Sequence, residues 1–180
     1  MRIKLLICKR LRMERHLVNY RRYYASGGTW FFTVNLKHRQ QSLLTSHIAQ
    51  LREAIGYVRL QKPFAINAWV VLPEHLHCVW TLPVNDKDYS GRWREIKKRF
   101  TRLVQKSDIW QPRFWEHTIR DETDYRHHVD YIYHNPVKHG WVKQTREWPF
   151  STFHRDVRLG LYPVDWGGEG NDIAAGERAG

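Results

Sequence analysis

A chain of 180 residues is long enough for one domain with a substantial core, and its two cysteines, Cys8 and Cys78, offer neither a Cys-x-x-Cys pair nor a disulfide framework. A net charge of +12 and a pI near 10.0, beside a 14% aromatic share with nine Trp, point to a polyanionic partner. The apolar run Leu5 to Cys8 is too short for a signal-peptide core or a membrane span, so no membrane role is expected and a reducing cytoplasm fits.

In chain order, residues 1–22 hold eight Lys or Arg against one acid, Glu14, more than half of the net excess. Residues 1–19 have no fold signal and include a second Met at position 13. They read either as a disordered basic arm or as sequence upstream of the true start. Gly27-Gly28 opens a first strand, Thr29 to Leu36, in which Trp30, Phe32, Val34 and Leu36 alternate with Phe31, Thr33 and Asn35. Ser46 is the expected N-cap of a helix reaching about Gln61, with Ile48, Leu51, Ile55 and Val58 as its buried stripe. Phe64 to Leu72 reads as a buried strand, Pro73-Glu74 as a turn and His75 to Leu82 as the next strand.

Ser90 precedes a second helix to about Lys106, with Trp93, Ile96, Phe100 and Leu103 at helical spacing. A loop from Ile109 to Phe114 leads to a short fourth strand, Trp115 to Arg120. Asp121 or Thr123 caps a third helix, which Pro136 is expected to stop. Past Trp148 the aromatic residues Phe150, Phe153, Tyr162 and Trp166 predict an extended arm, and the composition from Gly167 onward predicts a mobile tail. The order β-α-β-β-α-β-α gives an α+β class: a ferredoxin-like antiparallel sheet with helices packed on it and one added helix near the C-terminus.

Residues two apart on a strand share a face, so His75 and His77 project together while Leu76 points to the opposite layer. Two polar residues on a solvated strand face are the bland account of such a triplet. In a hairpin this apolar, however, two histidines cost desolvation unless they have partners, and a metal ion is one such partner. On the third helix Tyr125, Val129 and Ile132 should face the core. Asp124, His128, Tyr131 and Asn135 gather on a neighbouring side, and Tyr133, about 200° from Tyr131, should be peripheral to the site. Two imidazoles, an amide oxygen and a phenol suit metal-assisted phosphoryl transfer with tyrosine as nucleophile. Asn in place of a carboxylate suits weakly held Mg²⁺ or Mn²⁺. An unperturbed phenol ionises near pH 10, so a base or orienting group is needed, for which His128, Glu74 and Lys138 are the candidates. Arg92, Arg94, Lys97, Lys98, Arg99 and Arg102 crowd the second helix with Glu95 as the nearby acid. They predict a phosphate-tracking face, with Arg21 and Arg22 as further DNA contacts and Trp110 as a stacking platform for unpaired bases.

These residues resemble the REP-associated tyrosine transposases of bacteria, within the His-hydrophobic-His superfamily. The resemblance runs from about Tyr20 to Trp166. It rests on Tyr23-Tyr24 with Gly27-Gly28-Thr-Trp-Phe-Phe32, Ala68-Trp-Val-Val-Leu-Pro-Glu-His-Leu-His77, Trp110-Gln-Pro-Arg-Phe-Trp-Glu-His117, Asp130-Tyr-Ile-Tyr-His-Asn-Pro-Val-Lys-His-Gly140 and Trp148-Pro-Phe-Ser151. Residues 1–19 fall outside it, which favours a start downstream; residues 20–166 form the expected catalytic domain and 167–180 the tail. The resemblance implies His75, His77 and Asn135 as metal ligands and Tyr131 as the nucleophile that bonds to a 5′ phosphate. It implies single-stranded DNA hairpins of repetitive extragenic palindromes as substrate, a cytoplasmic, nucleoid-associated location, and a monomer or homodimer. A catalytically silent binder of the same hairpins is the alternative, and a rolling-circle replication nuclease a third reading.

Overall fold

The computed structural model describes residues 27–38 and 42–167, so the expectations for residues 1–19, for Arg21 and Arg22 and for the tail beyond Gly167 lie outside the described residues. The elements are β1 (Thr29–Asn35), α1 (Leu43–Ser46), α2 (Ile48–Gln61), β2 (Ala65–Val71), β3 (His75–Thr81), α3 (Tyr89–Leu103), β4 (Trp115–Thr118), α4 (Glu122–Lys138) and α5 (Phe153–Arg158). The four strands form one antiparallel sheet in the order β2-β3-β1-β4, the arrangement predicted from the element order.

Strand alternation divides the interior into two layers. Trp30, Phe32, Val34, Leu76, Cys78 and Trp80 point to one face, where they bury Leu51, Ala54, Ile55 and Val58 of α2 and Trp93, Ile96 and Phe100 of α3. Phe31, Val70 and Val79 point to the other, under Val129, Tyr131, Ile132 and Tyr133 of α4. The added helix therefore closes the face that the ferredoxin-like plan leaves open, and the odd-numbered residues of β3 look at it.

Three boundaries differ from expectation. Ser46 does not cap α2. Burial of Leu43 and Leu44 winds a separate turn, α1, ahead of it, and His47 becomes the capping position. At α3 the cap is Asp88 rather than Ser90. Its carboxylate accepts from Gly91 N at 2.8 Å, an approach that a Cβ at position 91 would obstruct, since it would lie 2.4 Å from the carboxylate. Asp121 caps α4 as expected, but Pro136 does not stop that helix, which runs on to Lys138. So close to the helix end a proline forfeits one bond, and His139 N to Asn135 O (3.0 Å) and Trp141 N to Pro136 O (3.0 Å) complete the last turn.

The expected extended arm is instead a strap with a 3-10 turn at Thr145–Glu147 and the helix α5. Residues 150–155 run along the outer edge of β2. Val71 N donates to Phe150 O and Thr152 N to Trp69 O (2.8 and 3.0 Å), and Trp69 N donates to Thr152 Oγ1 at 2.9 Å. Arg155 covers the carbonyls of Ile66 and Asn67, beside the irregularity between Ile66 and Ala68 in the β2–β3 register.

Candidate active site

His75 and His77 lie on the α4 side of β3, 5% and 0% exposed, with ring centroids 4.9 Å apart and planes at 80°. Each ring is fixed through Nδ1. His77 Nδ1 is 2.8 Å from the hydroxyl of Thr33, its register partner on β1, and His75 Nδ1 is 3.1 Å from Glu74 Oε1. A carboxylate accepts, so His75 Nδ1 donates, and Nε2 is the nitrogen that looks inward. Burial raises the Glu74 carboxyl, but the hydrogen bond and charge of His75, with the charge of His139, hold it below the ordinary value.

The helix opposite presents Tyr131 and Asn135. The Tyr131 ring is 5% exposed, with its centroid 5.2 Å from the His77 ring and 6.1 Å from Phe31, so it is buried in the cluster on this face of the sheet, edge-on to His77. Lys138 places its ammonium 4.9 Å from the centre of the same ring. Asn135 is fully buried one turn further on. Two buried atoms in this cluster, His75 Nε2 and Asn135 Oδ1, make no hydrogen bond to protein, although both residues are held by other contacts. A buried imidazole nitrogen and amide oxygen in that condition fit a divalent cation.

Other predicted residues fall elsewhere. His128 is 4% exposed, packed on Phe31 at 4.7 Å, with Nδ1 donating to Asp124 O at 2.8 Å. Burial lowers its pKa and outweighs the Asp124 contacts that raise it. Tyr133 packs on Phe153, Tyr162 and Trp166 and is fully buried: its hydroxyl donates to Asp156 Oδ2 at 2.5 Å, and burial, with the Asp156 charge, pushes its pKa well up.

The second helix needs correction. It lies on the sheet face opposite the histidines. Arg92 is no phosphate contact: it is 1% exposed, and its guanidinium donates to Asp86 and to the carbonyls of Lys62, Pro63 and Asp88. Lys97 donates to Gln111 O at 3.0 Å over the Trp110 and Phe114 rings, and burial lowers its pKa to about 8. Arg99 stacks on Tyr57 at 3.7 Å, leaving Arg94, Lys98 and Arg102 exposed. Trp110 is not an open platform, because it packs on Phe100 and its Nε1 donates to Thr101. The half-exposed tryptophan beside the tyrosine helix is Trp141, which sequence reasoning passed over.

Also unanticipated is a cluster beside α4. His117 of β4, Asp124 and His128 bring three donor groups within 4.8 Å of one another. The spacing of Asp124 and His128, four apart on a helix, was the available signal; the partner from β4 was not visible in it.

Among curated proteins, the chain is 67% identical over 159 residues to the REP-associated tyrosine transposase of Escherichia coli (strain K12), a match spanning 88% of this chain and 96% of that one. The chain belongs to the REP-associated tyrosine transposases. As a member of that family it is an enzyme, a tyrosine transposase. A putative REP-associated tyrosine transposase of Haemophilus influenzae is 45% identical, spanning 83% of this chain and 93% of its own length. The solved structure of a REP-associated tyrosine transposase bound to a REP hairpin has a TM-score of 0.84 and 67% identity, covering 89% of this chain and 97% of that one. No protein-family profile matches the chain. Among the described residues of this transposase no helix is long and apolar enough to cross a membrane.

Proposed function

We propose that this transposase cleaves and rejoins single-stranded REP hairpin DNA through a covalent 5′-phosphotyrosine at Tyr131. The observation that carries the reading is the packing of the Tyr131 ring against His77, within the His75–His77 pair and one turn from Asn135. The REP hairpin seen with a solved relative of 67% identity supports the substrate class.

His75 Nε2, the inward nitrogen of His77 and Asn135 Oδ1 are the atoms that would hold a divalent ion, Mg²⁺ or Mn²⁺. Bound there, such an ion supplies positive charge to a non-bridging phosphate oxygen. The protein does the rest. Thr33 and Glu74 hold the imidazoles in orientation, and Phe31 packs against the His77 ring. The Tyr131 oxygen bonds to phosphorus as the bond from phosphorus to the leaving 3′ oxygen breaks. The phenol proton passes to a base, and the released 3′ oxygen takes up a proton. Of the three base or orienting candidates, Lys138 lies against the phenol ring, Glu74 orients His75, and His128 braces the helix. Because one phosphoester replaces another, a second 3′ hydroxyl can reverse the step or redirect the joining.

The test is incubation of end-labelled hairpin DNA with the protein and Mg²⁺. A protein-sized adduct that survives denaturant, present in wild type and absent in Tyr131→Phe, is the expected result. Hairpin binding without any adduct would reduce the chain to a silent hairpin binder.

A further inference from the structure

We infer that His117, Asp124 and His128 form a second cation site, for a transition metal of the Zn²⁺ class, separate from the His75–His77–Asn135 cluster. His117 Nε2 lies 2.8 Å from Asp124 Oδ2 and 3.1 Å from Oδ1, and His128 Nδ1 lies 3.0 Å from Asp124 Oδ1. Tetrahedral metal–ligand bonds of about 2.0–2.2 Å put neighbouring donors roughly 3.3–3.6 Å apart, so the two Asp124 contacts need open by only a few tenths of an ångström, and all three ligand atoms already lie within 4.8 Å of one another. The two imidazoles are stacked, centroids 4.6 Å apart and planes at 16°, so binding one ion requires a ring to rotate until both in-plane lone pairs converge.

Two imidazoles and one carboxylate suit Zn²⁺ and disfavour Mg²⁺, which prefers an all-oxygen shell. The Asp124 carboxyl suits a ligand: burial raises its pKa, but the His117 hydrogen bond, the Arg120 amide and both imidazole charges hold it below the ordinary value. The His117 and Asp124 side chains keep 22% and 15% exposure, enough for entry of the ion and for a water as a further ligand. One charge opposes binding, the Arg120 guanidinium 3.6 Å from Asp124 Oδ2, but that side chain is 76% exposed and can turn outward.

Uptake is an exchange of protons for metal. The hydrogen that His128 Nδ1 now donates to the Asp124 carbonyl moves to Nε2 or to solvent, and His117 likewise presents a lone pair in place of its hydrogen. Placed there, the ion joins the edge strand β4 to the first turns of α4 and clamps the start of the nucleophile helix against the sheet.

Metal-free full-length protein is titrated with Zn²⁺ against a chromophoric chelator in millimolar Mg²⁺, with melting temperature read in parallel. One zinc equivalent should persist in the His75→Ala/His77→Ala double variant. It should weaken at least about tenfold in Asp124→Asn and in His117→Ala, together with the zinc-induced rise in melting temperature. His117→Gln, on an edge strand, serves where the alanine variant does not fold. Unchanged zinc affinity in folded Asp124→Asn and His117 variants overturns the assignment, as does wild-type protein that takes up no zinc. Loss of the equivalent in the His75/His77 double variant alone assigns the zinc to that pair, which also overturns it. The proposed cleavage chemistry can fail without touching this result, because no DNA is present.

Discussion

Tyr131 and Tyr133 are two residues apart on one helix, and their hydroxyls should behave in opposite ways. Tyr133→Phe removes a hydroxyl that donates to Asp156 Oδ2 at 2.5 Å in a fully buried position. Hydrogen bonds to charged groups contribute about 1.5–3 kcal/mol, and Asp156 keeps its ion pair with Arg155 at 2.6 Å, so a loss of about 2 kcal/mol is expected. For a chain of this size that lowers the melting temperature by about 4–8 °C. The adduct yield of the folded protein should stay within about twofold of wild type, a difference of under 0.5 kcal/mol in barrier. Tyr131→Phe keeps its ring against His77, so the protein should stay folded, as calorimetry would read. Its cleavage should fall at least about 10³-fold, as expected for loss of a nucleophile. Calorimetry together with the denaturant-resistant adduct assay separates the two. Loss of the adduct in a folded Tyr133→Phe protein, or an adduct retained by Tyr131→Phe, would refute the assignment of roles.

Four further outcomes are expected. His77→Ala removes a fully buried ring and should abolish Mg²⁺-dependent cleavage while hairpin binding, read by gel shift, stays within about tenfold, the cost of roughly 1.4 kcal/mol. Changing Arg94 and Lys98 together should reduce the slope of log affinity against log salt by about 1.4 if both touch single-stranded phosphates, and an unchanged slope moves the DNA track off α3. Arg92→Ala should leave that slope alone and instead cost about 2–3 kcal/mol in denaturant titrations, because the carbonyls of Lys62 and Pro63 lose their donors. Lys97, lowered by burial from 10.5 to about 8, binds fewer protons folded than unfolded between those values, so stability should rise as pH climbs from about 8 towards 10.5. Lys97→Met should flatten that rise, measured as the difference in unfolding midpoint between the two proteins.

The strand pairings and the His75–His77 face were legible because a period of two is a local property of the chain, and the hairpin turn at Pro73-Glu74 sets the register by itself. The placement of Tyr131 and Asn135 on one buried face of α4 was legible for the same kind of reason, a spacing of four on one helix. What escaped depends on groups far apart in sequence. Arg92 looks like any other cation in a basic run until Asp86 and the Lys62 and Pro63 carbonyls close around it. His117 meets Asp124 only when β4 pairs with β1 and α4 folds back across the sheet. Pro136 was read as a stop because the local rule is strong. Within the last turn it costs a single bond, which the burial of Asn135 and Pro136 offsets.

The strap along β2 bears on how copies of this chain can meet. A sheet edge normally invites another strand, and here one of the two edges is occupied over most of its length by residues 150–155. Peeling it away would also pull on Asp156, and through it on Tyr133 and the rest of α4. Self-association by strand exchange on that side would thus disturb α4. Among the described residues, the four-residue β4 edge and the helical surfaces are the places where a second copy could pack without displacing the strap.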